Sequence, residues 1–92
     1  MKQSTTRTLR IVNEKGLHAR ASAKLVEVVE AHDATATVFK DSLDAAGDSI
    51  MGLLMLAASK GTSIKVKTDG AEAERLADAL EALVADRFGE DN

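Results

Sequence analysis

Apolar residues recur in this chain at two different periods, and the order of those periods limits the fold more than any other feature. Alternation marks a strand with one buried face. Spacings of three and four mark a helix with a buried stripe. Thr8-Leu9-Arg10-Ile11-Val12 alternates, with Leu9 and Ile11 on one side. From Ala19 to Ala31 helix formers dominate, and Leu25, Val28 and Val29 fall at helical spacing. Residues 35–40 alternate again, with Ala36 and Val38 inward, and residues 43–46 suit a short return strand. A second helical run starts at Ile50, with Ser49 as its N-cap, Asp48 adding favourable charge, and Gly61 as its candidate C-terminal cap. Ser63-Ile64-Lys65-Val66-Lys67-Thr68 is a clean alternating strand, and Asp69-Gly70 reads as a turn. The last and longest helix is expected over residues 71–88, with Leu76, Leu80, Leu83 and Val84 as its stripe and Gly89 as its stop.

The order is therefore βαββαβα. Short connections and neighbouring strands predict an α+β fold, an open-faced sandwich with helices collected on one face of the sheet. Ninety-two residues make a single domain, 1–92, with 1–6 and 90–92 expected to be frayed. The core has to be aliphatic, because there are two Phe and no Trp or Tyr. The chain has no cysteine, which excludes disulfides, thiol nucleophiles and cysteine-ligated metals. A net charge of −3 and scarce aromatics argue against a nucleic-acid partner. The polar start and the absence of a long apolar run argue against membrane insertion, so the expected location is cytoplasmic.

One segment carries chemistry. Gly16-Leu17-His18-Ala19-Arg20 places a histidine and an arginine where a turn hands over to a helix. Helix N-termini hold anions, since their first N–H groups lack partners and the dipole end is positive. An imidazole nitrogen is a usable nucleophile near neutral pH. The backbone N–H groups of Ala19 and Arg20 suit phosphate oxygens, and the Arg20 guanidinium adds a permanent charge. The plain alternatives are a surface histidine cap and a solvated arginine. The other histidine, His32 beside Asp33, has no further ligands at useful spacing and reads as a helix-end residue, so no metal is expected.

The segment at His18, together with Asp48-Ser49-Ile50-Met51-Gly52-Leu53 continuing to Lys60-Gly61, resembles the bacterial phosphocarrier family HPr, including its nitrogen-branch variant NPr. The resemblance runs from about Thr8 to Phe88. It implies a four-stranded antiparallel sheet with three helices on one face. It implies that His18 takes a phosphoryl group on Nδ1 from a PEP-charged Enzyme I and passes it to IIA-type acceptors. Arg20 would compensate the phosphate charge. Ser49 would be the serine that a dedicated HPr serine kinase/phosphorylase modifies in some bacteria. The helix after that serine would help to bind partners, with Ile50, Met51 and Leu54 as the candidate patch, although the pattern alone is that of core. Such a carrier needs no cofactor. It is a phosphotransferase-system component, substrate and donor in turn rather than a free-standing enzyme, and its simplest state is a monomer.

One residue departs from the family pattern. Most sugar-transport members have proline after the arginine, and this chain has Ala21. Alanine starts a helix readily and keeps an N–H that proline lacks. The departure concerns the partner set, sugar uptake or a regulatory phosphorelay, rather than carriage itself. Two other readings are open. One is a protein-binding module of the same fold, controlled through Ser49 with little transfer at His18. The other is an unrelated βα interaction or ligand-sensing domain.

Overall fold

A computed structural model describes residues 3–92. Four strands form one sheet: β1 (Gln3–Arg10), β2 (Thr35–Lys40), β3 (Leu43–Ala46) and β4 (Ser63–Gly70), in the spatial order β1-β4-β2-β3 with every pairing antiparallel. The helices are α1 (Ala19–Glu30), α2 (Ile50–Met55) and α3 (Ala73–Ala85), followed by a single 3₁₀ turn, Arg87–Gly89. The expected βαββαβα order is present.

Alternation explains how the layers meet. Leu9, Ala36, Val38, Ala45, Ile64 and Val66 turn to one side of the sheet and are buried there with Leu25 and Val29 of α1 and Leu76, Leu80 and Val84 of α3. Each Val, Leu or Ile among them contributes ~1.5–3 kcal/mol on leaving water. Val26, outside the expected stripe of α1, is also buried, while Val28 and Leu83 are only partly covered. The opposite face carries Thr6, Thr8, Phe39, Lys65 and Lys67 around an open hollow.

Several boundaries differ from expectation. Gln3–Thr6 are not frayed. They pair with Lys67–Gly70, Thr5 opposite Thr68, so β1 begins five residues earlier than its apolar alternation. Their Ser and Thr side chains hide the period, but β-branched threonine suits a pleated strand. The fraying expected at Met1 and Lys2 falls outside the described residues. Asp69 and Gly70 remain in β4 because both Gln3 and Ser4 need partners there. The turn follows them, and α3 starts at Ala73.

The helix after Ser49 stops at Met55, and Gly61 does not cap it. Ala57, at φ 52, takes the left-handed position beyond its end. Gly61 instead donates its N–H to Ile11 O at 2.8 Å, beyond the end of β1. Phe88 is fully buried but lies outside α3, in the 3₁₀ turn, where Arg87, Phe88 and Gly89 all have positive φ. An apolar residue one turn beyond a stripe reads as helix in sequence. Here the chain breaks at Asp86, and Phe88 enters the core from a different direction. Among the described residues no helix is long and apolar enough to cross a membrane.

Candidate functional site

The turn between β1 and α1 is built on Asn13 and Gly16. Asn13 is fully buried and donates from Nδ2 to Gly16 O at 2.8 Å. Gly16 has φ +65, and an added Cβ would sit 2.9 Å from Ser59 Cα, so the position requires glycine on both counts. Leu17, buried, donates its N–H to Ala58 O at 2.8 Å. The turn that carries His18 is thereby fastened to the segment that follows α2.

His18 is the N-cap of α1, with extended backbone. Its Nδ1 accepts from the Arg20 N–H at a long 3.3 Å, while its carbonyl accepts from Ser22 N–H at 2.8 Å. On the far side of the ring, Nε2 donates to Glu90 Oε2. The two contacts agree on one tautomer: proton on Nε2, lone pair on Nδ1 facing the first turn of the helix. Ala19, Arg20 and Ala21 are the first three residues of α1. Their N–H groups have no acceptor within the helix.

Glu90 is the residue that sequence reasoning missed. It is not frayed: Oε1 accepts from Asn13 Nδ2 at 3.0 Å while Oε2 takes His18. Asn92 is held too, its carbonyl accepting from Glu14 N–H at 3.0 Å. The hydrogen bond from Asn13, then that from His18, holds the Glu90 carboxyl below the ordinary carboxylate value against the effect of burial. The only local signals for this hook are an apolar residue and a glycine just past a helix, Phe88 and Gly89.

Arg20 is exposed and makes no ion pair among the described residues. With His18, Lys15, Lys24 and Glu90 it lines one shallow hollow. Glu14 and Asp91 line it too, so its charge is mixed, with Lys15, Arg20 and Lys24 as the cations on its wall. The larger hollow on the uncovered sheet face holds no histidine.

Ser49, Ile50, Met51 and Leu54 lie on a separate element and do not line the hollow around His18. Ser49 Oγ accepts from Gly52 N–H at 3.0 Å, the N-cap the sequence suggested. Ile50, Met51 and Met55 are exposed, Met51 at 71 % and Met55 at 73 %, whereas Leu54 is only partly so and Leu53 is core. The apolar run is thus divided lengthwise between core and surface, with Met55 an exposed member the sequence reading left out. His32 Nδ1 donates to Val28 O at 2.7 Å at the end of α1. No cluster of three metal-ligating side chains occurs among the described residues.

The chain is similar to known proteins in sequence and fold. Residues 5–86 match the family described as the PTS HPr component phosphorylation site. The phosphocarrier protein HPr of Cupriavidus necator is 42 % identical over 80 residues, 87 % of this chain and 90 % of that protein. The phosphocarrier protein NPr of Escherichia coli is 36 % identical over 85 residues, 91 % of this chain and 94 % of that one. A crystal structure of HPr from Thermoanaerobacter tengcongensis superposes with a TM-score of 0.90 at 33 % identity, covering 96 % of this chain and 99 % of the other. Strand order, the histidine at a helix start and similarity along nearly the whole length converge on one conclusion: this chain belongs to the HPr family of phosphocarrier proteins of the phosphotransferase system.

Proposed function

We propose that His18 Nδ1 is the atom that takes up and surrenders the phosphoryl group, with Enzyme I as donor and a IIA-type protein as acceptor. The observation that carries this reading is the Nδ1 lone pair at the open start of α1, 3.3 Å from the Arg20 N–H. A phosphoryl group on Nδ1 would exchange that long contact for hydrogen bonds from the N–H groups of Ala19 and Arg20 to its own oxygens. The dipole of α1 favours the added negative charge. Transfer proceeds through a loose transition state, so the protein's work is positioning and charge compensation. Arg20, unpaired among the described residues and bordering the same hollow, is free to supply part of that charge.

Partner proteins would meet α2 beside this site. Ile50 and Met51 present apolar, adaptable surface, and Leu54 adds its exposed edge. Ser49, half-buried at the head of that helix, is the candidate serine for an HPr serine kinase/phosphorylase. A phosphate there would have to displace its bond to Gly52 N–H. The carrier acts in the cytoplasm as a monomer, because each partner in turn needs the same face. Whether it serves sugar uptake, a regulatory relay or both is read from which IIA protein accepts its label.

The decisive experiment is PEP-dependent labelling by purified Enzyme I. Wild type is expected to gain an acid-labile phosphoryl group and His18→Ala to show only background. Full labelling of His18→Ala would overturn the assignment. Met51→Asp is expected to weaken binding to Enzyme I about tenfold by placing charge in an apolar contact. Unchanged affinity would remove α2 from the docking surface.

A further inference from the structure

We propose that Glu90 is a positioning residue for phosphoryl transfer: its carboxylate holds the proton on His18 Nε2, freeing the Nδ1 lone pair for attack and keeping the phosphorylated ring an imidazolium. The inference rests on the reading of His18 as the phosphoryl carrier.

Glu90 is held as a built part would be. Both carboxylate oxygens are committed, Oε2 to His18 and Oε1 to Asn13, so its direction is fixed from two sides. Asn13 spends its two amide hydrogens on Glu90 and on Gly16 O, and its own Oδ1 is left buried without a partner. Buried orphan oxygens are uncommon and call for an explanation. Here the orientation that leaves Oδ1 bare is the one that aims Nδ2 at Glu90.

The backbone adds a second, independent observation. Arg87, Phe88 and Gly89 sit at φ 57, 54 and 77, three left-handed residues in a row, two of them not glycine. Such conformations are unfavourable and persist only where surrounding contacts impose them. The contacts are present: the Phe88 side chain is fully buried, and its carbonyl accepts from Lys24 Nζ at 2.6 Å. This turn reverses the chain after α3 and delivers Glu90 to the ring.

The step balances without moving a proton. Neutral His18 carries its hydrogen on Nε2, and the Nδ1 lone pair forms the bond to phosphorus. The bond from phosphorus to the donor breaks, and its electron pair leaves with the donor. The ring then bears the phosphoryl group on Nδ1 and the hydrogen on Nε2, and its positive charge faces the Glu90 carboxylate. In onward transfer the Nδ1–P bond breaks and its pair returns to Nδ1. If the Nε2 hydrogen were lost in between, the ring would be neutral and a poorer leaving group. A carboxylate behind a catalytic histidine plays the same part in hydrolase triads, fixing the tautomer and stabilising the imidazolium.

Other charges face the ring from each neighbouring element: Glu14 and Lys15 from the turn, Arg20 and Lys24 from α1, and Asp91 beyond Glu90. Among the described residues only Glu90 is bonded to Nε2. Its lowered carboxyl pKa keeps it charged throughout the neutral range.

The test combines ¹⁵N NMR of the His18 ring with transfer assays on the full chain, using wild type, Glu90→Ala and Glu90→Gln. In wild type the neutral ring is expected to be mainly the Nε2–H tautomer. Glu90→Ala should lose that preference. Onward transfer from the phosphorylated variants should fall about tenfold on the alkaline side, the worth of one charged hydrogen bond. A residue that merely braces the fold would lower Tm and leave the tautomer unchanged. If Glu90→Ala keeps the wild-type tautomer and transfer rate while wild type is labelled normally, the proposal fails and the carrier reading stands. If wild type itself takes no label from charged Enzyme I, the carrier reading fails and the proposal falls with it.

Discussion

Two helices of this protein begin with a side-chain cap, and the caps differ. At α2, Ser49 Oγ accepts from Gly52 N–H at 3.0 Å. At α1, His18 Nδ1 accepts from Arg20 N–H at 3.3 Å. The serine cap closes its helix end with a short hydroxyl close to the N–H it accepts from. The imidazole cap is longer and weaker, and its ring is fixed from behind by Glu90 rather than by the helix it caps. One helix start is sealed for stability. The other is held by a longer contact, which an incoming phosphate would replace under the proposed function.

Substitutions can break or sharpen this contrast. Phe88→Ala should have the largest effect, about 3–5 kcal/mol of lost stability in urea unfolding, because it empties a core site. In the fraction still folded, NMR should find His18 released from Glu90. A retained His18–Glu90 contact would mean that Phe88 does not anchor the hook. Ser49→Ala should cost about 1 kcal/mol of stability and leave transfer at His18 within twofold of wild type. A large fall in transfer, with binding of both partners intact, would erase the division between a structural and a working cap. Ala21→Pro should matter least to the fold, because the third residue of α1 donates no bond within the helix. Transfer should change by only a few-fold, through loss of one N–H near the phosphate. Complete loss would show that the open helix end depends on that donor.

The two caps were also unequal in what the sequence disclosed. His18, Arg20 and Ser49 stand in short motifs at helix starts, where neighbours in sequence are neighbours in space. The core of β2, β4 and α3 was legible for a similar reason, since alternation and helical spacing are local. Glu90 was not legible. Its contact with His18 spans 72 residues and depends on a left-handed reversal that two of its three residues ordinarily avoid. Polar Gln3–Thr6 escaped notice because their pairing is decided by β4, not by a period of their own. The end of α2 was misjudged because Ala57 occupies a left-handed position where glycine is the usual signal.

The strap between Gly16-Leu17 and Ala58-Ser59 bears on how a partner finds its target. Glycine lets the two backbones touch, and the Leu17 N–H bond to Ala58 O ties them. The turn bearing the imidazole and the helix bearing Met51 therefore travel as one piece, at a set offset. Under the proposed docking, a protein seated on the methionine surface would already have surveyed the position of the histidine, much as a template drilled with two holes needs only one pin to register the second.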